Sequence, residues 1–181
     1  MEAIDIQKKK IRKFIREEKL KLPEDERFKR SVDILQQLEN HPRFQQSELI
    51  LIFWSMKDEV HTHSFLEKWH RKKKLLLPCV EGQHLKLRLY QGLESMKAGD
   101  FFGIPEPTGP EFLNYHEIEL GIIPGVAFDK QQNRMGRGKA YYDQLLPGLS
   151  AYLIGICFSF QYLDKVPTDI HDVKMHEIVC G

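Results

Sequence analysis

The chain has 181 residues, 41% of them hydrophobic and 29% charged, which is enough to bury a sizeable core and too apolar for a disordered chain. Its 27 lysines and arginines against 26 aspartates and glutamates leave a formal charge of +1, so net charge lends no support to nucleic-acid binding. No apolar run approaches a membrane span, the first 21 residues are too charged for a secretory signal, and Cys79, Cys157 and Cys180 are too scattered for a disulfide framework or a zinc site. One cytoplasmic domain over residues 1–181, with packed thiols, is the expectation.

Residues 4–20 predict an amphipathic helix. At 100° per residue Ile4, Ile11 and Ile15 form its apolar stripe, and Lys8 and Arg12 lie on the stripe's edge one turn apart, so that both can reach one object. Stripe-edge cations also often do no more than lay their stems along apolar surface. A second helix starts in "LPEDERFKRSVDILQQLEN", with Pro23 in its first turn and acids behind it, and stops at His41-Pro42. "ELILIFWS" reads as a short buried strand, residues 64–73 as a helix and "KLLLPCV" as another strand, the order of a parallel α/β unit.

"HLKLRLY" alternates strictly, with Leu85, Leu87 and Leu89 on one side and Lys86 and Arg88 on the other, which predicts a strand at an edge or in a hairpin with one solvated face. Residues 91–117 contain "GDFFGIPEPTGPE", whose glycines and prolines predict a long loop rather than a regular element; such loops are often functional. "IELGIIPGVAF" and "SAYLIGICFSF" supply two further buried strands, and the tail ends in an apolar run suited to a last one. The fold class is α/β: a single three-layer α/β/α domain around a mostly parallel sheet.

Between those last two strands lies "RMGRGKAYYDQLL". A glycine lets its backbone N–H approach a phosphate closely, and flanking arginines and lysines add charge-assisted hydrogen bonds. "RMGRGK" combines both at the predicted start of a helix, a place that favours anions. The common nucleotide loop is excluded, since it needs glycine at Asn133 and Ser or Thr at Ala140, and the dinucleotide fingerprint fails at Tyr141. A basic turn that merely joins strand to helix explains the composition equally well. Asp143, one turn beyond Lys139, is placed to face a metal held by phosphates, and Asp172 is a candidate partner for it. His61 and His63 lack a metal-binding framework and read as a loop or helix start. Trp54, Met56, Phe101 and Phe102 suit either an aromatic pocket or the core, and Glu59 lies just past a strand end, where α/β folds place ligand contacts.

Five segments together resemble the 5-formyltetrahydrofolate cyclo-ligase family, nearly end to end: "KKKIR", "FWSMKDEVHT", "FFGIPEP", "IIPGVAFDKQQNRMGRGKAYYDQLL" and "HDVKMHEI". The resemblance implies an ATP- and Mg2+-dependent ligase that converts 5-formyltetrahydrofolate, with or without a polyglutamate tail, to 5,10-methenyltetrahydrofolate. Phosphoryl transfer depends on positioning and charge neutralisation, which accounts for many cations and few acid–base groups. By resemblance, Lys8, Arg12, Arg134, Gly136, Arg137, Gly138, Lys139 and Tyr142 would bind ATP, with Arg137 or Lys139 steadying the transferring group as the catalytic cation. Asp143 and Asp172 would hold Mg2+, and Trp54, Met56, Glu59, Phe102 and Tyr141 would bind the folate.

Two positions depart from the family pattern. Ala140 stands where many members have glycine; a positive φ would resist it, but it reads as part of the helix, where alanine is harmless or better. Val80 or Cys79 stands where some members place an aromatic residue against the folate. The expectation is a monomer without nucleic-acid or membrane partners. The rival is a non-catalytic folate or nucleotide binder on the same fold, which should have lost charges from the cradle or the metal pair; both are intact. A transferase of acetyl groups or coenzyme A on a related fold would leave Asp143 and Asp172 without a purpose.

Overall fold

The computed structural model describes residues 2–99, 103–170 and 172–181. Among the described residues five α-helices are formed: α1 Glu2–Lys21, α2 Glu24–Asn40, α3 Pro42–Gln46, α4 His63–Trp69 and α5 Tyr141–Leu145. The strands are β1 Leu49–Leu51, β2 Lys74–Glu81, β3 His84–Leu89, β4 Met96–Ala98, β5 Pro105–Pro107, β6 Glu111–Phe112, β7 Leu120–Ile123, β8 Ala127–Asp129, β9 Arg134–Met135, β10 Tyr152–Cys157, β11 Tyr162–Leu163 and β12 Glu177–Cys180. Pro23 precedes α2 as its cap, and Glu24, Asp25 and Glu26 fill the first turn, where the helix dipole favours negative charge. Among the described residues no helix is long and apolar enough to cross a membrane.

Seven strands form the central sheet in the order β12-β10-β7-β1-β2-β3-β6. The first five run parallel, and β3 and β6 are added antiparallel. The side-chain alternation of β1, β2 and β10 explains why their apolar runs are continuous, since each strand is covered on both faces. Ile50, Ile52, Leu75, Leu77, Ile154 and Ile156 face α2, α3 and α4 through Ile34, Leu38, Phe44 and Leu66. Leu49, Leu51, Leu76 and Leu153 face the other way, onto Leu145 and Leu146 of α5 and its extension and onto Met175. Helices thus cover both faces, but the second layer is thin: one five-residue helix and loops.

"HLKLRLY" forms the hairpin expected of it, with β2, and β6 pairs onto its far side, so it is the penultimate strand. Its polar face is still ion-paired at the surface, Lys86 lying 2.7 Å from Glu81 and 2.8 Å from Glu111. Two other expectations change. "IELGIIPGVAF" is not one strand. It breaks at Pro124-Gly125, after which β8 joins a separate small sheet in the order β11-β8-β9, because proline cannot donate to a ladder. Residues 91–117 are not wholly irregular, since β4 and β5 make a two-stranded ribbon and β6 extends the main sheet. Prolines are tolerated in β5 because both ribbon strands are edges.

α1 packs on the small sheet rather than the large one. Ile15 is buried against Val126, Ala127, Met135 and Val166, which brings the N-terminal helix beside the segment that follows β9. Phe128 lies across the junction of the two sheets. A Cβ at Gly155 in β10 would come within 2.4 Å of its ring, and one at Gly125 within 2.6 Å, so both glycines are required by close approach.

Candidate active site

β1 connects through α4 to β2 on one side, whereas β7 leads to β10 on the other. At such a reversal the loops leaving the two strands part and open a crevice beyond their carboxyl ends. A cavity of about 470 Å3 occupies that place. Part of its lining is apolar, formed by Trp54 and Met56 after β1, Pro78 and Val80 of β2, Leu85 of β3 and Ile104. The polar part carries Glu59, Arg134, Arg137, Lys139, Tyr142 and Asp143.

The loop after β1 is closed by reciprocal side-chain bonds. Thr62 Oγ1 donates to the Phe53 carbonyl at 2.8 Å and accepts from Ser55 N at 3.1 Å, while Thr62 N donates to Ser55 Oγ at 3.0 Å. Inside that loop Glu59 turns back on itself, Oε2 accepting from Met56 N at 2.9 Å. Its Oε1 accepts from Arg137 Nη2 at 2.9 Å, and the same nitrogen donates to Asp58 Oδ1 at 2.8 Å. Asp58 Oδ2 accepts from Lys19 of α1 at 2.9 Å. Burial pushes the Asp58 carboxyl up, but Lys19 and Arg137 outweigh it and hold the group below the usual carboxylate range. Burial pulls Arg137 down and is outweighed in turn by Glu59 and Asp58, so its guanidinium stays charged.

The basic segment is built on Asp129. This buried carboxylate accepts from Gln131 N, Asn133 N, Asn133 Nδ2 and Val166 N at 2.9–3.0 Å, and these four donors overcome the burial that would raise its pKa. The turn so formed aims Arg134 inward. Arg134 is 3% exposed, pairs with Asp143, and lies 5.5 Å over the Tyr142 ring. Its Nε–H has no partner among the described residues. A buried donor left unpaired is costly, and here it belongs to a guanidinium that lines a cavity. Burial also pushes the Tyr142 hydroxyl far above its ordinary pKa, so the ring stays neutral.

α1 supports the segment from outside. Arg12 Nε donates to the Gly136 carbonyl at 3.1 Å, and its guanidinium lies against Gly138, where a Cβ would stand 3.3 Å from Nη2. Gly138 has φ +96°, so space and conformation both call for glycine. Lys8 Nζ is 3.0 Å from Asp172 Oδ2, both side chains being 14% exposed.

The structure therefore brings Trp54, Met56, Glu59, Arg134, Gly136, Arg137, Lys139, Tyr141, Tyr142 and Asp143 onto one cavity. Lys8, Arg12, Gly138 and Asp172 do not line it; Arg12 and Gly138 lie behind the cradle, and Asp172 pairs with Lys8. Phe102 falls outside the described residues. Ala140 is not within the helix: it caps α5 at φ +57°, the left-handed region that glycine favours, because the chain turns there from Lys139 into Tyr141. Of Val80 and Cys79, the pair expected where some members place an aromatic residue, Val80 lines the cavity, and Cys79 is buried with its thiol pushed up to about 12 by desolvation. Sequence reasoning missed Asp58, Asp129, Pro78, Leu85 and Ile104. Asp58 and Asp129 stood inside quoted motifs beside more conspicuous neighbours, and the three apolar residues carry no signal that separates a cavity wall from core.

A model of the 5-formyltetrahydrofolate cyclo-ligase family matches residues 5–181. The chain is 29% identical over 192 residues to the 5-formyltetrahydrofolate cyclo-ligase of Mus musculus, covering 98% of this chain and 95% of that one. It is 28% identical over 144 residues to the enzyme of that name from Haemophilus influenzae, covering 75% and 77%. Among solved structures, the NMR structure of Aquifex aeolicus 5,10-methenyltetrahydrofolate synthetase superposes with a TM-score of 0.86 at 31% identity, covering 96% of this chain and 89% of that one. A 5,10-methenyltetrahydrofolate synthetase from Mycoplasma pneumoniae shares the fold at a TM-score of 0.77 and 24% identity, covering 95% and 97%.

Proposed function

The chain belongs to the 5-formyltetrahydrofolate cyclo-ligase family, and from that premise we propose that it converts 5-formyltetrahydrofolate to 5,10-methenyltetrahydrofolate with ATP and Mg2+, releasing ADP and phosphate. The observation that carries this reading is the mixed lining of one cavity, where apolar residues that suit a flat heterocycle occur together with Arg134, Arg137 and Lys139, which suit phosphates. ATP supplies a γ-phosphoryl group to the formyl oxygen, which makes that oxygen a leaving group when N10 closes the ring, and Mg2+ screens the phosphate charge.

The chain's own residues bind, orient and neutralise. Trp54 and Met56 wall the pterin, with Tyr141 at the rim, and Phe102 is assigned there by resemblance alone. Glu59, held by Met56 N and Arg137, presents a carboxylate to the pterin's donor edge. The free Nε–H of Arg134 fits an anion, and Arg137 and Lys139 are the cations assigned to the transferring group. Lys139 makes no ion pair among the described residues, so it meets a phosphate at no cost in broken contacts. Gly136, Gly138 and Tyr142 shape the cradle, Arg12 supports it from α1 through the Gly136 carbonyl, and Lys8, paired with Asp172, would reach a phosphate only if released from it. Asp143 would hold the metal from the cavity wall, a single carboxylate sufficing for Mg2+ that keeps most of its water. Asp172 would take part only if released from Lys8. We assign the folate's polyglutamate form as an acceptable substrate, and the active unit as one cytoplasmic chain without nucleic-acid or membrane partners.

Near-ultraviolet absorbance of the protein with 5-formyltetrahydrofolate, Mg2+ and ATP tests the reading, because the methenyl product absorbs where the formyl substrate does not. A rise that requires both ATP and metal is expected. A flat trace beside measurable folate binding would instead establish the non-catalytic binder.

A further inference from the structure

Trp54 offers the largest flat surface of the apolar wall, yet no ladder holds it. β1 ends at Leu51, and the indole sits three residues further on, in the loop. Its ring is stacked on that of His63, with centroids 3.9 Å apart and planes 21° from parallel. His63 opens α4 and does not line the cavity, so the imidazole lies behind the indole. Neither comparison with relatives nor the phosphate chemistry gives this histidine a task.

The imidazole is itself held. Nε2 lies 3.0 Å from the Ser55 carbonyl oxygen, and Ser55 is locked to Thr62 by the reciprocal bonds across the loop. His61 packs against its ring at 4.5 Å between centroids and against Phe28 of α2 at 5.4 Å. Burial, and then the neighbouring His61, hold the His63 pKa below its ordinary value, so at neutral pH the ring is uncharged. The Ser55 carbonyl accepts only, which places the proton on Nε2. A histidine does here what a phenylalanine or a glutamine would each do in half: it offers a flat face for stacking and an N–H that ties that face to the loop backbone.

We propose that His63 is a positioning residue for ligand binding, fixing the plane of Trp54 so that a planar heterocycle can stack on it from the cavity. This rests on the reading that the cavity takes a pterin. Stacking is the dominant contribution, and the Ser55 bond only orients the imidazole.

The test is steady-state kinetics and near-ultraviolet circular dichroism of His63→Ala and His63→Phe, each also in a Trp54→Leu background. His63→Ala is expected to raise the KM for 5-formyltetrahydrofolate about 3- to 10-fold, the range of an aromatic pair, with kcat changed less than about twofold. His63→Phe is expected to restore KM. In the Trp54→Leu background His63→Ala is expected to add nothing, since it acts through the indole. A KM unchanged in His63→Ala, a failure of phenylalanine to restore it, or a full effect persisting without Trp54 would each overturn the proposal. Dichroism without ligand separates it from the ligase reading. If the protein binds no folate, a Trp54 band lost in His63→Ala and regained in His63→Phe sustains the positioning role, and an unchanged band overturns it.

Discussion

Two basic stretches lie at opposite ends of the sheet, and the denser one is not at the cavity. Residues 70–74, His-Arg-Lys-Lys-Lys, run into the start of β2 at the end of the sheet away from the cavity. Arg71, Lys72 and Lys74 are exposed there, Lys72 rests over the Trp69 ring, and Lys73 spends its ammonium on the carbonyls of Gln45 and Ser47. Residues 134–139 have no more charge, but each arginine is constrained: Arg134 is buried on Asp143, and Arg137 is forked between Asp58 and Glu59. Exposed cations without partners are screened and must be ordered by whatever they bind, whereas Arg134 is buried and already oriented, and Arg137, though part exposed, is held in place by two carboxylates. What distinguishes the two arginines at the cavity is restraint on their charges rather than the number of charges.

That comparison is most severely tested at Arg134. Arg134→Ala is expected to abolish turnover and to cost about 3 kcal/mol of stability, because Asp143 is left without its partner beside the cavity. Denaturant unfolding and the absorbance assay would check both. Arg137→Ala is expected to slow turnover on the order of a hundredfold while stability changes by less than about 1 kcal/mol, its side chain being 44% exposed. Equal losses in both would break the distinction between cradle and core. Ala140→Gly is expected to raise stability by roughly 1 kcal/mol, relieving the left-handed strain with no loss of turnover.

A smaller effect is expected from acid. Asp58 is held below its ordinary pKa in the folded state, so the stability it contributes is fully present above the unfolded value and is lost as pH falls through the folded one. Asp58→Asn should flatten that part of the stability curve and leave it unchanged at neutral pH and above in shape. The smallest effect belongs to the distal stretch: Lys72→Ala with Lys74→Ala should leave turnover and stability within about 0.5 kcal/mol of the parent. A clear loss of activity there would show that unrestrained charge matters after all.

The sheet was legible because buried parallel strands such as "KLLLPCV" and "SAYLIGICFSF" announce themselves by composition, and the cradle because glycine and arginine alternate in it. The break at Pro124-Gly125 was hidden by the apolar residues on either side, which read as one strand until pairing partners are known. Ala140 was misplaced by one residue, since a helix boundary depends on a single φ that alanine does not advertise. Lys8 and Arg12 were found as a pair on a stripe edge, but not that one would reach a carboxylate and the other a carbonyl, which needs the packing of α1 on the small sheet. The apolar wall was invisible for a simpler reason, that Val80 and Leu85 look the same to a sequence whether they face a ligand or a leucine.

Phe128 gives the site a hidden dependency. It fills the space left by Gly155 in the middle of β10 and by Gly125 on the cavity's rim. A side chain at Gly155 would have to displace that ring, which also packs against Gly125 of the cavity lining, so a change made in the core would be felt at the cavity. Randomising only the lining residues would leave Phe128 untouched, and filling Gly155 to improve the core would press on a ring that the cavity shares.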